Sequence, residues 1–578
     1  MSAAPTRSLP FYLAIGLCQG LLLWWGLTLG DSAHWLTSLA GALITLGLVG
    51  GLGLQLLGGH SRDRGALALL IGLALLMAAI SGWVFWQTRA LGEGRSDDSR
   101  LLLSWSVGAQ VLGYIAIAFI LSWPTREQGR LRYEDLFRHA WNNVFILLLA
   151  QFLVGLFCLL LILWAGLFAM LGIDLFGELF TSPGFMAIST LLVFAVGVRM
   201  GCESERVIGL LRGILLVLCR FLLPLSALIA VLFTLALPFT GLQAIWETGH
   251  STAILLCLIF INLLLLNGVF QDGSETPWYP RLLRRLVEAS VLCMLVLAVL
   301  AGYSTYLRIA QYGVTPQRFY AALLVLVALL HSVALLWALR PRQPVWLGSL
   351  RRSNPPLALL VCVLLVLAHS PWLNALDVSA RSQVQRLLAG KISAQDSALA
   401  YLRHELGRPG VQQFDGLKAR LQAGELLEAA ARAALLARMD ELVEQGAYGA
   451  AAVDPQAMPA ETLDWIGPAE DEAQRVVDKQ TLQDECDHAG CLLWAVDMDA
   501  DGRNEVLLLP TEHYGSELLF FARNERDEWQ VAGRFEQAYS SEDLIEAARQ
   551  GSVTLVKPRY QSLQVGGALY VPQPPEYQ

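Results

Sequence analysis

Eleven apolar stretches constrain this chain more than any other feature of its sequence. They lie near residues 11–30, 35–58, 66–88, 102–123, 141–172, 183–198, 214–239, 253–270, 286–307, 319–339 and 355–373. A bilayer core takes about 20 helical residues to cross, and a backbone in hydrocarbon has only itself to hydrogen-bond to. The expected fold is therefore a polytopic α-helical membrane protein with about 11 transmembrane helices. Two windows fit loosely. The stretch 183–198 is short unless it begins nearer Leu179, and Val207–Thr240 is longer than one span needs, with Pro224 as the place for a kink or restart. One arginine, Arg7, precedes the first window, which is long enough to span and is followed at once by another. That window reads as a retained first helix, not a cleaved export signal.

The last window, Pro355–Leu373, divides the chain by solvent. Before its end lie 23 basic and 16 acidic residues, a balance of +7; from Asn374 onward lie 18 and 33, a balance of −15. The domains expected are a membrane body over 1–373, a helical adaptor over 374–460 and a β-rich domain over 461–578, so the tail is an extracytoplasmic α+β unit if the last span runs outward. Arginine placement says that it does. With the amino terminus inside, the inner connections hold 17 of the 23 arginines of the body, among them Arg62, Arg126, Arg199, Arg281 and Arg351. The acidic tail argues against nucleic acid or anionic lipid as its partner.

Past Leu373 the pattern changes twice. From Val378 to about Gln445 apolar residues return every three or four positions, as in helices, with breaks expected at Gly407–Gly410 and Gly446–Pro459. From Cys491 onward CLLWAV, EVLLLP, ELLFFA, WQVAGRF, VTLVK and ALYVP, set between turn residues, predict a small sheet. Between the first two of those strands stands Asp497-x-Asp499-x-Asp501-Gly502-x-x-Glu505. Carboxylates at that spacing around a glycine bend suit calcium. The loop is not an EF-hand, because its twelfth position is Leu508; the alternative is an ordinary acidic hairpin turn. Cys486 and Cys491 are close enough in sequence to pair in an oxidising compartment, or to hold a metal with His488. The other seven cysteines lie in or beside apolar spans, where a thiol acts as a small hydrophobe.

Ionisable groups at bilayer depth are functional candidates, and few are present. Arg220 either snorkels to the inner interface or serves as a counter-charge. Glu288 pairs with Arg284 one turn before it. His331 and His369 read as hydrogen-bonded core residues, with a proton relay as the alternative for His331. Asn142, Asn143, Gln151, Asn262 and Asn267 read as interhelical glue. The sequence carries no P-loop, HExxH or GxSxG, and no paired carboxylates within a span.

One inner connection stands apart. From Val198 to Leu225, Arg199, Glu203, Arg206, Arg212 and Arg220 recur along what reads as one helix entering the membrane, either a candidate site for an anionic head group or a rim of salt-bridged charges. Here, and in RYEDLFRHAWNN (Arg132–Asn143) and YLRHELG (Tyr401–Gly407), the sequence resembles the bacterial membrane proteins grouped as domain-of-unknown-function family 4153. The resemblance implies a bacterial inner membrane with the tail in the periplasm, and it supplies no activity and no catalytic residues to carry over. Two functions fit. One is transport or handling of a lipid-like, amphipathic anionic solute by the bundle. The other is an envelope sensor or assembly factor whose periplasmic domain binds a protein partner, the bundle then serving as its bilayer anchor.

Overall fold

The computed structural model describes residues 7–29, 34–88, 98–242, 250–273, 279–340, 345–389, 399, 401–424, 429–444, 464–466, 491–498, 502–510, 518–523, 529–535, 547, 549–550, 553, 563–565 and 568–570. Among them, eleven helices are long and apolar enough to cross a membrane, and each falls on one of the eleven sequence windows. They are α1 (Leu9–Thr28), α2 (His34–Leu57), α3 (Arg64–Thr88), α4 (Asp98–Ser122), α5 (Tyr133–Ala169), α7 (Pro183–Glu203), α8 (Glu205–Thr240), α9 (Ser251–Phe270), α10 (Arg281–Tyr312), α11 (Pro316–Ala338) and α12 (Leu350–Ala368). A short helix, α6 (Leu175–Thr181), joins α5 to α7. Large apolar side chains such as Phe152, Ile162 and Phe239 stay exposed on these helices. That is the surface of a bundle solvated by hydrocarbon.

Three details depart from the reading of the sequence. First, α5 begins at Tyr133, so RYEDLFRHAWNN forms helical turns where an inner loop is expected. Glu134 and Asp135 sit in its first turn, where the helix dipole favours negative charge. Second, α7 gains length toward Arg199 instead of reaching back to Leu179, because Ser182 leaves the helix and Pro183 starts it. Third, the expected single helix from Arg199 to Arg220 is two helices, broken at Ser204, whose backbone (φ −96°, ψ 51°) is not helical. Pro224 and Pro238 do not interrupt α8. A missing amide inside one long membrane helix is tolerated where neighbouring helices support it.

Three apolar clusters hold the bundle among the described residues, one of them joining α2, α3 and α4 through Leu57, Leu70, Ile117 and Ile120. The largest joins α8 to α12 and includes Leu223, Ile259, Met294, Leu297 and Ala328, all fully buried. Another joins α1, α5, α7 and α8 through Tyr12, Ile146, Ala150, Ala195, Val198 and Ile208. Polar contacts between helices add direction to this packing. Ser251 on α9 meets Ser304 on α10 at 2.8 Å in a buried hydroxyl pair.

The chain forms two compact units, Met1–Tyr448 and Gly449–Gln578. Packing in the first continues past Leu373. There α13 (Ala375–Leu388) starts at Asn374, whose side chain accepts a hydrogen bond from Leu376 N. Gln383 Nε2 donates to the Val314 carbonyl at 3.3 Å, and Arg386 Nη1 donates to the Ala310 carbonyl at 3.1 Å near the end of α10. Two further helices, α14 (Gly407–Gln422) and α15 (Ala429–Glu444), complete this region. Gly407 begins α14 and Gly410 lies inside it, so the expected break falls before Gly407.

The second unit carries a five-stranded sheet of order β1-β2-β3-β4-β5. Its strands are β1 (Asp464–Ile466), β2 (Cys491–Val496), β3 (Glu505–Pro510), β4 (Leu518–Arg523) and β5 (Trp529–Phe535); a separate hairpin joins β6 (Leu563–Val565) and β7 (Ala568–Tyr570). β1 runs parallel to β2 and the rest are antiparallel. Five of the expected apolar runs form strands, while VTLVK lies largely outside the described residues. In the acidic turn between β2 and β3, Asp497 Oδ2 accepts from Gly502 N at 3.0 Å and Glu505 Oε2 from Met498 N at 2.6 Å. Gly502 holds φ 88°, a left-handed conformation that glycine adopts freely. Asp499, Asp501, Cys486 and the Cys491 side chain lie outside the described residues.

Candidate functional site

Several arginine-bearing helix ends are joined on one side of the bundle, here the arginine side. Arg7 Nη2 donates to Ser61 Oγ at 2.7 Å, Arg126 lies 3.9 Å from Asp63, and Arg351 lies 2.9 Å from Glu134. The first two link the starts of α1 and α3 to the end of α4, the third links α12 to α5, and a Thr125–Asp135 hydrogen bond joins the two groups.

The first turns of α5 are the hub of that surface. Glu134 takes Arg132 on one carboxylate oxygen (2.8 Å) and Arg351 on the other (2.9 Å). Next to it, Asn354 Nδ2 donates to the Tyr133 hydroxyl (3.0 Å) and to Asn267 Oδ1 (2.8 Å), which joins α12, α5 and α9. The carboxylate of buried Asp135 accepts from Thr125 (2.9 Å) and Arg138 (2.7 Å). Each charge here has a partner, as burial at a membrane rim requires.

The five residues singled out from the sequence divide into three settings. Arg199 and Glu203 pair with each other at 2.8 Å across one turn of α7. Arg212 is half-buried and donates to Asn142 Oδ1 at 2.9 Å, binding α8 to α5. Arg206 and Arg220 are exposed on α8, and neither carries an ion pair among the described residues. Tyr279 donates to the Arg220 backbone carbonyl at 2.9 Å; burial pushes its phenol up to about 12, so it remains a donor at neutral pH. The Arg284–Glu288 pair forms as expected at 3.0 Å, and Trp346 Nε1 joins it at 3.1 Å.

Of the amides expected as glue, Asn142 and Asn267 bridge helices. Asn262 donates to its own helix at Leu258, and Gln151 is exposed. His331 Nδ1 bonds the Val327 carbonyl one turn back, a local contact within α11. The sequence does not mark Tyr133, Glu134, Arg351 and Asn354 as partners of one another. Tyr133 and Glu134 lie in the RYEDLFRHAWNN motif, and Arg351 reads only as one of the inner arginines.

A family model, Domain of unknown function (DUF4153), matches residues 21–417. The chain belongs to the DUF4153 family. The match takes in α2 to α13 and the YLRHELG turn, and thus the whole hub on α5. Comparison with the curated proteins and with the solved structures returned no match.

Proposed function

We propose that this DUF4153 protein takes up or moves an amphipathic anionic solute at its arginine side. It does so as a multi-pass protein of a bacterial inner membrane, with the amino terminus in the cytoplasm and the acidic tail in the periplasm. The observation that carries the reading is the surface of α8. At about 100° per residue, Arg206, Leu210, Gly213, Val217 and Arg220 fall on one strip of the helix. Both arginines are exposed, as are Leu210 and Val217. Among the described residues, a Cβ built on Gly209 or Gly213 meets nothing within 4 Å, so the strip between the two cations is open. Free guanidinium groups bordering an open, hydrocarbon-facing strip match an anionic head with apolar chains. Arg212, engaged with Asn142, positions α8 instead of binding. Eleven crossings also exceed what an anchor for a sensor domain needs.

Native mass spectrometry of protein extracted with its own lipids tests this. The expected result is a stoichiometric anionic adduct. At about 1 kcal/mol per cation near an anionic lipid, Arg206→Gln with Arg220→Gln weakens retention roughly thirtyfold. Arg281→Gln with Arg285→Gln, at the start of α10, leaves the adduct in place. Equal loss in both double variants reduces the effect to general surface charge and ends the proposal.

We also propose that the acidic hairpin binds calcium through Asp497, Asp499, Asp501 and Glu505 and braces the sheet. Calcium is then expected to raise the unfolding temperature of the sheet in the full chain, and Asp497→Asn to cancel the rise. An unchanged midpoint means that the turn is closed by its own amides alone.

A further inference from the structure

Opposite the arginine side, α4, α11 and α12 meet around His369, which is only 4 % exposed. Its Nδ1 lies 2.9 Å from the Leu365 carbonyl oxygen. A carbonyl can only accept, so Nδ1 carries the proton and Nε2 is left as a base. That base faces Ser104 Oγ at 2.9 Å, with the Tyr320 hydroxyl at 3.3 Å. The rings of Tyr320 and Trp105 hold the imidazole, at centroid distances of 5.5 and 5.3 Å. A hydroxyl on a base whose other nitrogen is fixed by a third group is the arrangement of an activated serine.

Two more features complete the site. A cavity with room for about one water molecule lies against the same imidazole, lined by Trp83, Gln87 and Asn374 among others. Gln87 is 7 % exposed, and its Oε1, an acceptor, has no hydrogen-bond partner among the described residues. Ser104 itself is only part-buried, and its neighbours on α4, Leu103 and Val107, are 65 % and 55 % exposed. The approach to the hydroxyl is therefore apolar.

We propose that Ser104 and His369 form a hydrolytic dyad that cleaves the ester of an apolar acyl chain. Ser104 Oγ bonds to the ester carbonyl carbon while its proton passes to His369 Nε2. Tyr320 donates to the carbonyl oxygen as that atom takes up negative charge. The ester C–O bond then breaks and Nε2 returns the proton to the departing alkoxide. In the second half a water from the cavity, held by Gln87 Oε1, attacks the acyl-serine. Its proton goes to Nε2 and on to Ser104 Oγ, and a carboxylic acid leaves. No electrons are gained or lost, and nothing here rests on the reading of α8.

The test uses the full chain in lipid nanodiscs, an alkyl fluorophosphonate probe and a p-nitrophenyl ester of a medium-length fatty acid. Peptide mass spectrometry is expected to find the probe on Ser104. Ser104→Ala should abolish labelling and ester turnover. His369→Gln, checked for folding, should slow labelling roughly a hundredfold, the usual contribution of a general base. Gln87→Leu separates catalysis from packing, because it should leave labelling intact while the acyl-enzyme accumulates and turnover falls. A folded wild type that takes no label at Ser104, or labelling of folded His369→Gln at the wild-type rate, overturns the dyad and leaves these residues as interhelical hydrogen bonds.

Discussion

Leucine in place of Gly20 is expected to destabilise the folded chain by about 2–3 kcal/mol, the upper range for overpacking a close contact. A Cβ built on Gly20 would stand 2.7 Å from Ile188 Cα, and one on Gly16 would stand 2.8 Å from the Leu191 carbonyl oxygen. Those neighbours are backbone atoms of α7, which cannot rotate aside as a side-chain tip can. Gly16 and Gly20 are four positions apart in α1, so they form one smooth face on which the two backbones touch. In hydrocarbon there is little hydrophobic drive to press helices together. Close van der Waals contact of this kind therefore carries a large share of the assembly.

The matched control lies in the same bundle. A Cβ on Gly72 of α3 or Gly155 of α5 meets nothing within 4 Å among the described residues. Leucine at either site should be neutral or slightly stabilising, since glycine is a poor helix former. Thermal unfolding of the four single variants in one lipid mixture makes the comparison. Gly20→Leu and Gly16→Leu should melt well below wild type, and Gly72→Leu and Gly155→Leu at or above it. Equal midpoints would mean that α1 does not pack on α7 through this face.

The spans are legible in the sequence because one rule governs them: a run of apolar residues long enough to cross must be helical throughout. The same rule hides where such helices extend into water. Nothing apolar marks Tyr133 as the start of α5, and nothing marks Ser204 as a break, because charged residues near an interface continue a helix or end it with similar ease. The sites are hidden for a different reason. Glu134 and Arg351 are 217 positions apart, and Ser104 and His369 are 265 apart. Only the packing of helices brings them together. His369 is visible in the sequence as a core histidine, yet its neighbours are not, since a single serine in an apolar helix carries no motif. The Arg206 to Arg220 strip is more accessible to sequence reasoning, because helical periodicity alone aligns it. What periodicity cannot supply is that Arg212, between them, is held by Asn142.

Phe414→Ala is expected to cost about 3–5 kcal/mol, as for deletion of a large aromatic side chain from a close-packed site. The consequence reaches beyond α14. Phe414 is fully buried, with the Arg403 guanidinium 5.1 Å from its ring centroid, and Leu417 and Leu421 share its buried face. At the start of the same helix, Arg408 lies 4.2 Å over the ring of Trp86 on α3. Helices beyond Leu373 thus rest on the membrane bundle, as Gln383 and Arg386 of α13 do at the end of α10. If these contacts form one cooperative unit, loosening α14 must loosen the spans as well. Cys362 on α12 reports on that directly, since it is a free thiol and buried. Its rate of maleimide modification, read by peptide mass spectrometry across a temperature ramp, should rise at lower temperature in Phe414→Ala than in wild type. The smaller change Phe414→Leu should give an intermediate shift. An unchanged Cys362 profile, with α14 alone becoming susceptible to protease, would show that the helices after Leu373 unfold apart from the bundle.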